Sequence, residues 1–263
     1  MSEVTAPYEP GTPCWVDLMV PDQQAALDFY RDLFGWQGEI GAEEFGGYSI
    51  CTLRGKPVAG IMQATPMGDQ PAPPPNWTTY FCTADADATQ AAITANGGTL
   101  IAPAMDVGDT GRMLVAVDPQ GAVFGAWQPK EFAGAEIVNE PGALVWNQLS
   151  TSDPKGAGVF YQAVLGLEAA PMPEMPEFTG LQVKGRTIGG VQGMENLPEG
   201  VPPHWLVNFC VDDVDSTTDA LVRAGGSVMA PPFDMDKVGR MAVLQDPQGA
   251  VFAIVATNEP VRP

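Results

Sequence analysis

The sequence predicts an α+β protein built from two tandem, homologous domains, and three observations predict it. First, VDPQGAVF at residues 117–124 returns as QDPQGAVF at 245–252, 128 residues later. Second, other landmarks repeat with it. Gly111-Arg112-Met113 returns as Gly239-Arg240-Met241 and Trp77 as Trp205; with a spacing of 131, Trp15 returns as Trp146 and Phe29-Tyr30 as Phe160-Tyr161. Self-similarity at a fixed spacing marks a duplication, and the small change of spacing reflects loops of unequal length. Third, each copy alternates short strand-like runs with two helical segments, reading β-α-β-β(-β) twice. The expected boundaries are 10–128 for the first domain, 129–141 for a linker carrying Pro, Gly and acidic residues, and 142–257 for the second.

The elements follow in order. Residues 14–20 alternate and predict a strand, which Pro21-Asp22 breaks. Asp22 is placed to cap a helix whose apolar side carries Ala25, Ala26, Phe29, Tyr30, Leu33 and Phe34, and Gly35 is placed to end it. Strands are expected at 48–53 and 58–63, then a proline-rich loop at 67–75, then a strand at 77–83. A helix at 86–95 closes on Asn96-Gly97-Gly98, and strands follow at 99–101, 112–117 and 122–127. The Asp-Pro-Gln-Gly tetrad between the last two is a hairpin signal, because Pro presets φ and Gly accepts a positive φ. The second domain repeats the order, with Pro- and Met-containing loops at 170–178 and 197–203; the tail 258–263 is expected to fray.

Composition excludes several classes. A formal net charge of −20, from 12 Lys+Arg against 32 Asp+Glu, repels nucleic acid and anionic membranes. The acidity serves solubility, or else it attracts a cationic ligand. No run approaches the ~20 apolar residues of a membrane span, and residues 1–11 do not read as a signal peptide. Cys14, Cys51, Cys82 and Cys210 sit in apolar strands without a C-x-x-C, so a reduced, cytoplasmic setting is expected. A Ser-His-Asp arrangement and a phosphate-binding glycine loop are both missing.

LDFYRDLFGW (27–36) with GRMLVAVDPQGAVFGAW (111–127), and VFYQAVLGLE (159–168) with GRMAVLQDPQGAVFAIV (239–255), resemble the vicinal oxygen chelate superfamily of glyoxalase I, bleomycin-resistance proteins and extradiol dioxygenases. The resemblance spans both domains. It implies paired βαβββ modules whose curved mixed sheet surrounds a cup, and it is similar to two-domain actinobacterial members lacking the metal ligands. In metal-binding members four strand positions supply ligands. Carried onto this sequence they fall at Trp15 and Trp146, near Ala59 and Gly189, at Thr78 and Leu206, and at Gly125 and Ala253. None offers a side-chain ligand, so no metal and no cofactor is expected. His204, the single histidine, reads as a strand-edge residue after Pro203.

Residues two apart on a strand share a face. The cup of the first domain is therefore expected to present Trp15, Asp17, Thr78, Tyr80, Cys82 and Trp127. That of the second should present Trp146, Gln148, Leu206, Asn208 and Cys210. Aromatic walls with a few polar groups suit a planar aromatic ligand; the same tryptophans could instead fill the cups as solid core. Trp15, Asp17, Thr78, Tyr80, Trp127, Trp146, Gln148 and Asn208 are the candidate ligand-binding residues. Asp17 and Tyr80 are the candidates for acid-base work, Asp17 through a raised pKa. Trp77 and Trp205 should face the helices. Arg112 and Arg240 read as structural ion-pair residues, or as anion binders at the cup mouth. Met62, Met67, Met172, Met175 and Met194 read as an adaptable lid or as ordinary packing. The expected function is metal-independent binding of a planar aromatic or antibiotic-like molecule, for sequestration, resistance or presentation to a biosynthetic enzyme. The alternative is a glyoxalase-like lyase or accessory hydroxylase of the same fold.

Overall fold

A computed structural model of the protein describes residues 3–66, 71–173 and 175–258. Part of the expected loop 67–75, including Met67, and most of the tail 258–263 lie outside the described residues. The first domain opens with β1 (Pro13–Val20), followed by α1 (Gln23–Phe34), β2 (Ser49–Leu53) and β3 (Lys56–Gln63). Its second module is β4 (Asn76–Cys82), α2 (Ala86–Ala95), β5 (Thr99–Val107), β6 (Gly111–Val117) and β7 (Val123–Pro129). The second domain repeats this with β8 (Leu144–Ser150), α3 (Pro154–Leu165), β9 (Glu168–Pro171), β10 (Thr179–Val183) and β11 (Arg186–Gln192). It finishes with β12 (His204–Cys210), α4 (Val214–Arg223), β13 (Ser227–Met235), β14 (Gly239–Gln245) and β15 (Val251–Thr257). The counterpart of β9 in the first domain is reduced to a single bridge between Gln37 and Thr52.

The helices start and stop where local chemistry dictates. The Asp22, Asp85, Asp153 and Asp213 carboxylates each accept the backbone N–H three residues on, as N-caps do. Gly35 and Gly166, at φ +77° and +71°, end α1 and α3 in the left-handed region.

Each domain forms one mixed sheet, in the orders β2-β3-β1-β4-β7-β6-β5 and β13-β14-β15-β12-β8-β11-β10-β9. Central strands β1 and β4 run antiparallel, whereas β1–β3 and β4–β7 pair in parallel. The sequence places this strand only at 99–101, short of Pro103. β5 runs on to Val107 since it is the sheet edge, where a residue without an N–H is tolerated.

The helices lie between the two sheets, and the domains share their cores. One core joins Leu18, Tyr30, Phe34, Trp36 and Trp77 of the first domain to Phe209, Leu221 and Phe252 of the second. The other joins Phe81, Ile93 and Phe124 to Phe160, Tyr161, Leu165 and Trp205. Trp77 and Trp205 thus face the helices.

A buried polar relay runs through each core. Trp77 Nε1 donates to the Tyr30 hydroxyl (3.2 Å), which donates to Asp246 Oδ2 (3.0 Å) in the other domain. Trp205 Nε1 donates to the Tyr161 hydroxyl (2.8 Å), which donates to Asp118 Oδ2 (3.1 Å). The other oxygen of each aspartate accepts three backbone N–H groups of its own Asp-Pro-Gln-Gly turn. Gly121 and Gly249 complete the turns at φ +112° and +107°. Burial, with the adjacent carboxylate, pushes both tyrosine hydroxyls well above their ordinary range, so they remain donors.

Removing one hydroxyl leaves a buried carboxylate and an indole N–H short of a partner. Tyr30→Phe and Tyr161→Phe are each expected to cost about 2–3 kcal/mol in urea unfolding. Because each core draws on both domains, unfolding should remain one transition by fluorescence and circular dichroism. Separate transitions for the two domains would contradict shared cores.

Candidate functional site

The sheet faces that turn away from the helices are the two cups. In the first, Trp15 and Asp17 of β1, Tyr80 and Cys82 of β4 and Trp127 of β7 are all buried, and Thr78 is partly so. Trp15, Tyr80, Cys82 and Trp127 form a cluster with Cys14 and Ala135, against which Tyr8, Tyr48 and Phe132 pack. The Phe132 ring meets Trp15 edge-on at 4.9 Å, and the Phe132 carbonyl accepts Trp127 Nε1 at 2.8 Å. The linker and N-terminal segment hold this cover in place. Tyr8 donates its hydroxyl to Ala135 O, and Ala135 N donates to Cys14 O.

Glycines make room for the filling rings. A Cβ on Gly60 would overlap the Tyr48 hydroxyl, one on Gly125 the Tyr80 ring, and one on Gly111 the Trp127 indole. Trp15 Nε1 donates to the Tyr48 hydroxyl (2.6 Å), which donates to Asp17 Oδ2 (3.3 Å). Asp17, 7 % exposed, also takes a hydrogen bond from Tyr80. Burial pushes its carboxyl up to about 7, and the two tyrosine hydrogen bonds only partly offset that.

The second cup is built differently. Trp146 stands opposite Asn208, and Gln148 opposite Leu206. Gln148 and Asn208 are buried, but Trp146 and Leu206 are only partly covered. Trp146 Nε1 donates to Gln148 Oε1 (3.1 Å), while the Gln148 and Asn208 amides donate to the Leu149 and Leu206 carbonyls. Among the described residues no apolar cluster closes this cup as one closes the first.

The second family ligand position needs correction by one residue. Ala59 packs into the helix-side core, and a Cβ on Gly189 would meet Asn147 O on that same side. Gly60, paired with Asp17, and Gly190, paired with Gln148, are the cup-facing residues instead. β-Bulges on these very strands, with Val58 the extra residue of β3 and Ile188 that of β11, make residue counting unreliable there. The ligand positions thus hold Trp15, Gly60, Thr78 and Gly125 in one cup and Trp146, Gly190, Leu206 and Ala253 in the other. These side chains do not fit a divalent metal, and no group of three or more His, Cys, Asp or Glu among the described residues could hold one.

Other candidates have structural partners. Arg112 pairs with Asp87 and Asp106, and Arg240 with Asp215 and Asp234, tying each helix start to its edge strand. His204 Nδ1 lies 2.8 Å from Pro202 O at the start of β12. The Cys210 thiol is pushed up to about 11, chiefly by burial, and is therefore a poor nucleophile at neutral pH. Tyr48, at the start of the strand expected at 48–53, and Phe132, in the linker, belong to the first cup but do not follow from alternation along the central strands. No helix among the described residues is long and apolar enough to cross a membrane.

A sequence model of the Glyoxalase/Bleomycin resistance protein/Dioxygenase superfamily matches residues 14–126, and one of a Glyoxalase-like domain matches residues 145–255. The chain is 44% identical over 252 residues to CFP32 of Mycobacterium tuberculosis, a protein provisionally named a glyoxylase, covering 94% of this chain and 95% of that one. It is 37% identical over 271 residues to the anthracycline biosynthesis protein DnrV of Streptomyces peucetius, covering 96% and 95%. Among solved structures it is similar to a Mn(II)-bound glyoxalase from Novosphingobium aromaticivorans, with TM-score 0.63, 15% identity and coverage of 96% and 84%. The 2,3-dioxygenase LapB from Pseudomonas sp. KL28 gives TM-score 0.63 at 16% identity, covering 98% and 96%. At those identities the structures speak for the fold alone. The full-length relatives and both matched domains place the chain in the glyoxalase/bleomycin resistance protein/dioxygenase superfamily, as a tandem two-domain member.

Proposed function

We propose that the protein binds a planar aromatic small molecule without a metal ion, for sequestration, resistance or antibiotic biosynthesis. The observation that carries this reading is the set of side chains at the eight ligand positions. Trp, Gly, Thr, Leu and Ala replace every donor that the family's metal chemistry requires. What remains in the cups is indole surface with a few amide and hydroxyl groups, which suits flat, weakly polar molecules. The relative named for anthracycline biosynthesis supports the same ligand class, since anthracyclines are fused planar ring systems. A biosynthetic enzyme is the partner to which such a carrier would deliver its ligand.

Asp17 favours a second reading, a metal-free lyase or accessory hydroxylase. A carboxyl held at about 7 beside two tyrosine hydroxyls is tuned for proton transfer at neutral pH. In that role Asp17 would take a proton and Tyr80 would supply one, but the packed rings over Asp17 must first open to substrate.

Two measurements separate these readings. Chelator-treated protein, titrated calorimetrically with a dihydroxyanthraquinone, should bind saturably, and added Mn2+ or Zn2+ should not change the affinity. Binding that appears only with metal would overturn the first reading. For the second, the sign follows from linkage. The folded chain keeps the Asp17 proton up to pH about 7, while the unfolded chain releases it near 3.8. This contribution to stability is full below pH about 4, declines as pH rises to about 7, and is then flat, a total of about 4 kcal/mol. Asp17→Asn should remove that slope. A wild-type-minus-variant difference that stays constant across pH 4–7 would show that the site does not hold its proton, and the general-base reading would lose its support.

A further inference from the structure

The two cups have diverged, and the second is built to receive a ligand while the first is closed on itself. We propose that a neutral, hydroxylated planar aromatic molecule binds in the cup of the second domain, its ring on Trp146 and a ring hydroxyl donating to Asn208. This rests on the ligand class proposed above and assigns it a site, an orientation and a charge.

Several residues of the first cup have smaller or uncharged counterparts in the second. Tyr80 becomes Asn208, Trp127 becomes Val255 and Asp17 becomes Gln148, while Trp15 is kept as Trp146 but is less covered. The Asn208 carboxamide is 4 % exposed, and its one hydrogen bond is Nδ2 donating to Leu206 O. Its Oδ1 has no protein donor, and it is not among the buried polar atoms sealed from solvent. A buried carboxamide with one unmatched end facing a cup is what a ligand-reading group looks like.

A cavity lies over the same face. Met172 packs where a Cβ on Gly180 would be; Gly180 pairs with Gly190, and a Cβ on Gly190 would touch Trp146 and Gln148. Gly180 and Gly190 are directly opposite on β10 and β11, so Met172 borders the Trp146 side of the sheet. Beside it is a cavity of about 290 Å³ lined by Pro171, Met175, Gln182 and Thr187 together with Lys237 and Val238 of the β13–β14 turn. Proline and methionine lining this cavity, on the Trp146 side of the sheet, favour a flat apolar body. The floor residues Trp146, Gln148, Leu206, Asn208, Ala253 and Val255 carry no charge, which suits a neutral ring, and among the described residues Lys237 is the one charged residue lining the cavity.

The test is hydrogen exchange and calorimetry on the full chain with a neutral dihydroxyanthraquinone. Protection on binding should concentrate at 171–183 and 235–239, and spare 43–48 and 130–135. Asn208→Ala should weaken binding about tenfold, the loss of one buried hydrogen bond, with an unchanged melting temperature, whereas Phe132→Leu, in the cover of the first cup, should leave affinity unchanged. Protection at 43–48 and 130–135 with Asn208→Ala silent would place the ligand in the first cup. That overturns this assignment and leaves the ligand class intact. Absence of any binding would overturn both.

Discussion

The buried tyrosine-to-aspartate hydrogen bonds that cross between the domains are the constraint on which the rest of the arrangement depends. Asp118 and Asp246 are nearly sealed from water, and a buried carboxylate survives only when its lone pairs are filled. Three come from the turn each aspartate shapes; the last comes from a tyrosine of the other domain. Neither domain can satisfy its own hairpin. The duplicated Phe-Tyr and Asp-Pro-Gln-Gly segments are therefore two halves of one device, used twice with the domains exchanged. Gln248 adds to one copy by exchanging hydrogen bonds with the backbone of Asp22 at the head of α1.

That device turns the helices inward and the cups outward. The apolar faces of α1 and α4 meet over one core, and those of α2 and α3 over the other. At the centre, Thr79 of β4 donates to Asn147 of β8 at 2.7 Å and ties the middles of the two sheets. The cups then lie on opposite sides of the molecule, free of the interface. A change in one cup leaves the shared cores untouched, so the two could diverge while their scaffold stayed matched.

Much of this was legible in the sequence, for physical reasons. A duplication shows as identity at fixed spacing, helix ends show as Asp caps and terminal glycines, and Trp77 and Trp205 follow from strand alternation. The cup residues Trp15, Asp17, Tyr80, Trp146, Gln148 and Asn208 fall on the non-helical faces because alternation holds on the stretches beyond the bulges at Cys14 and Val145. Bulges blur it, so that it sets the second ligand position only near Ala59, and Gly60 is the cup-facing residue there. Along the central strands alone it does not reach Tyr48, at the head of the strand expected at 48–53, and it is silent about Phe132, which reaches the first cup from the linker. The pairing of Tyr30 with Asp246 was hidden for another reason. Both residues stand in repeated motifs, but nothing in a repeat says which copy answers which.

The fate of the first cup follows from magnitudes. Each aromatic ring removed from water buries roughly 150–250 Å², worth about 4–6 kcal/mol before the entropy of ordering it is subtracted. Trp15, Tyr48, Tyr80, Trp127 and Phe132 together bring a gross term larger than the net stability of about 5–15 kcal/mol typical of a domain. An open cup forgoes most of that term. With no metal ligand left to constrain their positions, the residues of the first cup can close it, with glycines at 60, 111 and 125 yielding the space. The second cup has Asn208 and Val255 where the first has Tyr80 and Trp127, and it keeps an indole partly uncovered and a carboxamide oxygen unmatched. Because the domains share their cores, stability gained by closing one cup also supports the other. A fused pair can therefore keep one cup open at a smaller cost than a single domain could.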